Sequence, residues 1–336
     1  MSHKLRLLAV LVVSCATRCL AQQTSESWLQ RFSAPNTDQI VFSDDAERVL
    51  LKGLPGPLSE PSLAGVVDIH AHCDPDSVPR SIDALDLVRL AHDRGMRALV
   101  LKNHSDPTAS LAYLVRKEIP GIEVFGGIVL NRTVGGINPA AVGHLPAVKG
   151  GWGRVVWMPT NDAENQVRYS KENRPFVPVS HHGNLLPEVQ EVLRIIAKHR
   201  LVLATGHSSA TEDLMLIRAA RSAGVESIVV THPMSPPVNM SIGEMKEAAA
   251  LGAYLEFTYS GLLGPGKPLD LGDYVTAIRA VGPEHCILSS DLGQPGNPLH
   301  PDGWVTFLQE LQARAFTQQE IGQMSKVNPA KLLNLP

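Results

Sequence analysis

Eight short apolar runs rich in β-branched residues, each followed by an amphipathic stretch, constrain this chain more than any other feature. The runs are GVVDIHAH, MRALVLKNH, EVFGGIVLN, GRVVWMPT, RLVLATGH, ESIVVTHP, AYLEFTYS and CILSSDLG. Between them lie segments such as DALDLVRLAHDRG, LPEVQEVLRIIAKH and ATEDLMLIRAARSAG, whose apolar residues recur at helical spacing. Strands that alternate with helices pair in parallel, because each helix returns the chain to the same end of the sheet. Eight parallel strands close a barrel whose interior is filled by side chains. The pattern therefore predicts an α/β protein, a (β/α)8 TIM-like barrel over residues 65–336 of the 336. Helix ends agree with it. Ser209 with Glu212, Ser241 with Glu244 and Thr317 with Glu320 have capping-box spacing, and Gly95 and Gly224 stand where helices should stop.

The polar residues fall at the carboxyl ends of these runs. In a regular strand, alternate side chains share a face, so Val67, Ile69 and Ala71 are expected on one side and Asp68, His70 and His72 on the other. The second run ends in Lys102 and His104, the fifth in His207, the sixth in His232 and the eighth in Asp291, while the seventh carries Glu256 and Thr258 on one parity. Five of thirteen histidines thus sit at strand ends. The His-x-His pair alone also fits two histidines on a wet strand end, held by ordinary hydrogen bonds. Barrel closure, however, gathers the carboxyl ends of the strands at one mouth. Several imidazoles and a carboxylate converging there make a site for a divalent metal, Zn²⁺ above all.

This combination resembles the amidohydrolase superfamily. The resemblance rests on His-x-His on strand one, single histidines on strands five and six, aspartate on strand eight and the closing segment NPAKLLNL. The segments LVLKNHSDPT, FGGIVLN, VVWMPT, LATGH and SSDLGQPGNP look most like a bacterial branch without an assigned substrate. Many two-metal members carry a carboxylated lysine or a glutamate at the end of strand four; here that strand ends WMPT. The departure points toward one ion, as in members resembling aminocarboxymuconate-semialdehyde decarboxylase. The resemblance then implies His70, His72, His207 and Asp291 as ligands, with His232 contacting substrate or water; with two ions, His207 and His232 would hold the second. Asp291 is the expected proton acceptor. Lys102 is expected to be functional, as an anchor for a substrate anion or as a carboxylated bridge, against the alternative of a bystander at the rim. His104 and Glu256 are the other expected substrate contacts. The implied activity is metal-dependent hydrolysis of a small amide, ester or lactone. A decarboxylase or lyase on the same barrel is the rival, and a non-catalytic metal- or ligand-binding protein the rival of another class.

The net charge of −3 gives no basic footprint for nucleic acid. Lys4 and Arg6 precede LLAVLVVSCATRCLA. A charged start, a short apolar core and Ala21 read as a signal peptide over 1–21, too short to be a membrane span. VVSC, ending at Cys15, leaves lipid attachment as the alternative. The expected product is exported, with residues 22–64 an N-terminal extension and a helical patch in DDAERVLLKGL. Only Cys73 and Cys286 would remain, which is no disulfide framework. A small-molecule substrate is expected, and a homo-oligomer is compatible with this reading. His181, His182, Arg168, Lys171 and Arg174 lie in the loop after strand four, as surface groups or as a wall of the substrate pocket. Asp68 is either a partner of the metal ligands or a local cap.

Overall fold

Two sets of apolar side chains alternate along the predicted strands, and each finds its own layer. In the computed structural model, which describes residues 61–264 and 269–336, eight strands form one parallel sheet. They are β1 (Val67–His72), β2 (Ala98–Lys102), β3 (Glu123–Val129), β4 (Gly153–Trp157), β5 (Val202–Ala204), β6 (Ser227–Val230), β7 (Tyr254–Thr258) and β8 (Cys286–Ser289). Each pairs with its neighbour in chain order. The sheet curls into a nearly closed (β/α)8 barrel. Its seam between β8 and β1 is bridged just past β8: Asp291 N–H donates to His70 O at 2.8 Å and His72 N–H to Leu292 O at 2.9 Å. The described residues belong to one compact unit, Ser59–Pro336. The expected signal peptide 1–21, Cys15 and the extension as far as residue 60 lie outside them.

Val67, Ile69, Val100, Phe125, Val155, Trp157, Val202, Val229 and Ile287 fill the barrel interior, together with Ala330, Leu332 and Leu333 from the last helix, Asn328–Leu332, and its C-cap. Leu99, Leu101, Val124, Ile128, Val156, Leu203, Ile228, Leu255 and Leu288 face the helical layer. The helix Pro187–Lys198 shows how that layer is held. Val189, Val192, Leu193 and Ile196 recur on one face and are buried, each worth roughly 1.5–3 kcal/mol of removal from water. All three expected capping boxes are present, and Asp270 with Asp273 forms another.

The expected parity of β1 does not hold. Pairing runs Asp68 to Leu99 and then Ala71 to Leu101, so β1 carries one residue more than β2 over that stretch. This bulge leaves Val67 and Ile69 in the interior and turns Asp68 outward to Trp304 of the helix His300–Ala313. Beyond the bulge the alternation resumes, with His70 and His72 facing the mouth and Ala71 outward in the helical layer.

The loop after β4 is not structureless. It holds a short helix, Glu164–Tyr169, and a two-strand ribbon of Ser180–His181 with Asn184–Leu185. Among the described residues no helix is long and apolar enough to cross a membrane.

Candidate metal centre

The end of β1 delivers two imidazoles to the mouth, and the turn after β8 brings a carboxylate to meet them. Asp291 Oδ1 lies 3.0 Å from His70 Nε2 and 3.2 Å from His72 Nε2. The ligand atoms of these three residues all fall within 4.8 Å of one another. Asp291 takes a positive φ of 48° and His232 one of 27°, a region that side-chain-bearing residues seldom enter and that often marks functional sites. Ser260 Oγ donates to Asp291 Oδ2 at 2.7 Å.

Behind His70, Glu256 accepts from its Nδ1 at 3.1 Å. A carboxylate on one ring nitrogen orients the other toward a metal and raises its basicity. Glu256 is fully engaged there. It also accepts from Ser289 Oγ at 2.7 Å and from the His232 backbone N–H at 3.3 Å. Expected as a substrate contact, it is not on the cavity wall.

Lys102, only 1 % exposed, ends β2 with Nζ 2.8 Å from His70 Nε2 and 5.2 Å from the centre of the Trp157 ring. His207 and His232 stand together with ring centroids 4.9 Å apart, and His232 stacks at 6.1 Å on His70. Gln166 Oε1 accepts from His207 Nδ1 at 2.8 Å. The chain reaches His207 through Gly206 at φ +69°, where a Cβ would meet the Met158 carbonyl oxygen at 2.4 Å. No side chain larger than hydrogen fits that approach. His104 stacks on His72 at 4.8 Å and places Nδ1 2.8 Å from Thr160 Oγ1. Asn131 Nδ2 donates to the same hydroxyl at 2.9 Å, so the Thr160 proton is free to go to His104.

Burial and charge set the ionisation of the group. Burial pushes His72 down to about 3 against the pull of Asp291, and His232 down to about 4 against Asp291 and Glu256. Burial, with His232 and Lys102 beside it, also holds His207 well below its usual range. His70 is the exception. Burial lowers it, but Asp291 and Glu256 outweigh burial and Lys102 and raise it to about 9. Burial brings Lys102 down to about 8, opposed by the same two carboxylates. Asp291 is held well below the usual carboxylate range; burial works the other way, but His70 and His72 prevail.

These residues fit a divalent cation. The imidazoles of His72, His207 and His232, uncharged at neutral pH, and the ionised Asp291 are donors of the kind Zn²⁺ prefers, and His70 would release its proton to a bound cation. The Nδ1 atoms of His72 and His232 are buried without a hydrogen-bond partner. A cavity of about 370 Å³ opens over them, walled by Lys102, His104, Ser235, Thr258, Leu263 and Gln294 besides the cluster itself. His181 and His182 line a different depression, with Arg168 and Glu212. Arg174 is paired with Asp162 and Glu172. Cys73 and Cys286 are buried free thiols. Sequence reasoning missed Gln166, Thr160, Asn131 and Ser260. They lie on loops and short helical turns, where no periodicity marks a polar residue as inward-facing.

The family model described as a family of unknown function (DUF6282) matches residues 65–256, more than half the chain. That span holds His70, His72, Lys102, His104, His207, His232 and Glu256; Asp291 lies beyond it. No curated protein sequence matches significantly. Among solved structures, an organophosphorus hydrolase from Deinococcus radiodurans superposes with a TM-score of 0.56 at 15% identity, over 81% of this chain and 93% of that one. A mutant PTE-like lactonase from the same organism gives 0.56 at 15% identity, over 81% and 96%. A structure from the engineering of organophosphate hydrolysis on a promiscuous lactonase template gives 0.57 at 15% identity, over 81% and 96%. At this identity the likeness establishes a shared barrel.

Proposed function

The chain belongs to the family of unknown function DUF6282, and from that premise we propose that it is a metal-dependent hydrolase of the amidohydrolase type acting on a small molecule. One observation carries the reading: His70, His72 and Asp291 converge within 4.8 Å at the barrel mouth. In this reading His70, His72, His207 and Asp291 hold one divalent ion, Zn²⁺ by donor chemistry. When bound, the ion supplies Lewis acidity, polarising a substrate oxygen and bringing the pKa of a water near 7.

The chain's own groups do the rest. Asp291, ionised at neutral pH and fixed by Ser260, accepts the proton of the attacking water. Glu256 keeps the His70 ring in place. His232 and His104 face the cavity as contacts for substrate. Lys102 pairs with an anionic part of the substrate. A hydrogen bond from a charged group is worth about 1.5–3 kcal/mol, so Lys102→Ala should raise KM or lower turnover about 10–100-fold with metal content retained. Unchanged kinetics and metal content would strike Lys102 from the site. If two ions bind, His207 and His232 are the pair placed to hold the second.

The deciding experiment is metal analysis of the purified chain, followed by a panel of esters, lactones, amides and phosphotriesters. The structural neighbours, an organophosphorus hydrolase and an engineered lactonase template, make lactones and organophosphates its first members. Hydrolysis that disappears with chelation and returns with Zn²⁺ supports the proposal. Release of CO₂ from carboxylic acids added to the panel, with no ester, lactone, amide or phosphotriester hydrolysed, would reassign the barrel to decarboxylation. Tight metal with no turnover would leave a binding protein. We also propose export, from Lys4, Arg6, the apolar run and Ala21; recovery of an unprocessed Met1 chain in the cytoplasm would refute it.

A further inference from the structure

Asp68 takes no place in the mouth, yet it binds backbone on both sides of the seam where His70 and Asp291 meet. Its carboxylate is fully buried and faces the helical layer. Oδ1 accepts the His70 N–H at 3.1 Å and the Ser290 N–H at 3.1 Å, and Oδ2 accepts the Trp304 indole N–H at 2.9 Å. One oxygen therefore spans the seam, binding the peptide of a metal ligand on β1 and the peptide next to Asp291 beyond β8. The opposite side of the same seam is fastened by Ser290 Oγ and Asp291 N–H, both donating to His70 O at 3.2 and 2.8 Å. The bulge is what makes this possible: it sends Asp68 outward while His70 stays inward.

We infer that Asp68 is a positioning residue that sets the separation of His70 and Asp291, and through it how tightly the metal is held. The inference rests on the proposed metal site. A neutral amide cannot replace the carboxylate here. It has one acceptor oxygen and one donor nitrogen, and all three of its neighbours are donors. Asp68→Asn must set its NH₂ against either the Trp304 indole or the two peptides. Trp304→Phe removes the indole donor, so the double variant lets the amide oxygen serve both peptides.

The test is Zn²⁺ affinity by chelator competition, with the Co²⁺ absorption spectrum as a report on ligand geometry. Both use the full chain, its folding checked by circular dichroism. Partners behind metal ligands typically govern affinity by about 10–100-fold. Asp68→Asn should weaken Zn²⁺ by that factor and change the Co²⁺ bands, and Asp68→Asn/Trp304→Phe should recover most of both. A purely structural role would lower Tm and leave affinity and spectrum alone, and that result overturns the inference. So does a double variant that recovers nothing. If Asp68→Asn does not fold, Trp304→Phe alone, which strips one of the carboxylate's three anchors, must weaken Zn²⁺ measurably, and unchanged affinity refutes the idea. A wild-type chain that binds no metal overturns the metal site and this inference together; wild-type binding that both variants share overturns the inference alone.

Discussion

The two ends of the barrel's own strands are built from opposite kinds of residue. Along the lower part, Val67, Ile69, Val100, Val155, Val202 and Ile287 pack into an apolar interior closed by Leu332 and Leu333. One to three residues further along, β1 and β2 present His70, His72 and Lys102, and β7 carries Glu256 at the same end, all buried. Trp157 sits between the two zones, its ring in the apolar cluster and 6.1 Å from that of His70. Apolar burial stabilises wherever it is placed, whereas buried ionisable groups cost free energy unless each is paired. The mouth is the costly end, tolerated because its groups bind one another. The interior is the end that keeps the scaffold rigid enough to hold them.

That division can be broken from either side. The largest effect is expected at the mouth. Replacing His70 and His72 together by Ala should abolish both metal retention and turnover, with a native circular dichroism spectrum; full metal content in the double variant would refute the ligand assignment. Next is Asp291→Asn. Removing a proton acceptor typically costs about 10²–10⁴-fold, so turnover should fall by that range while Tm changes little. Near-normal turnover in the folded variant defeats the role. From the other side, Leu332→Ala should cost about 2–5 kcal/mol of stability, as large-to-small changes in cores do, and leave kcat of the folded protein as it was. A loss of kcat without a loss of stability would mean the two zones are not separable.

The smallest effect tests a carboxylate that belongs to neither zone. Asp213, on the helix Ala210–Ser222, is fully buried. Burial pushes its carboxyl well above the usual range, with Thr205 pulling it back. The folded state therefore holds this proton more tightly than the unfolded chain does. The contribution to stability is complete below the unfolded pKa of about 3.9 and is lost as pH climbs to the folded value, by at most about 1.4 kcal/mol per pH unit. Asp213→Asn should gain on the wild type as pH rises, seen as a larger Tm difference at pH 8 than at pH 5. An equal difference at both would show that the carboxyl does not titrate there.

The same contrast explains what could be read in advance. The eight strands, the helix caps and the gathering of His70, His72, His207, His232 and Asp291 at one end follow from periodicity and chain order, which the residues display directly. The orientation of Asp68 and Ile69 does not, because a bulge is a mismatch between two strands and neither strand alone records it. Glu256 was legible as inward-facing but not as the partner of His70, since strand parity fixes a side and not a depth. Gln166 and Thr160 were out of reach for another reason. Thr160 lies on a loop and Gln166 on a helix of only six residues, and neither imposes a periodic spacing that marks an inward-facing polar residue.

The seam also decides when the site can exist. Asp68 and Ser290, bound to one another across it, are 222 residues apart in sequence. Contacts of such separation form only after the intervening chain has paid its closure entropy, and folds that depend on them assemble slowly. A partly built barrel can have its first strands paired and its helices docked and still lack any place where His70 meets Asp291. Competence of the proposed site to capture a metal therefore waits on closure of that seam, and the appearance of Co²⁺ colour during refolding should lag the recovery of helical signal.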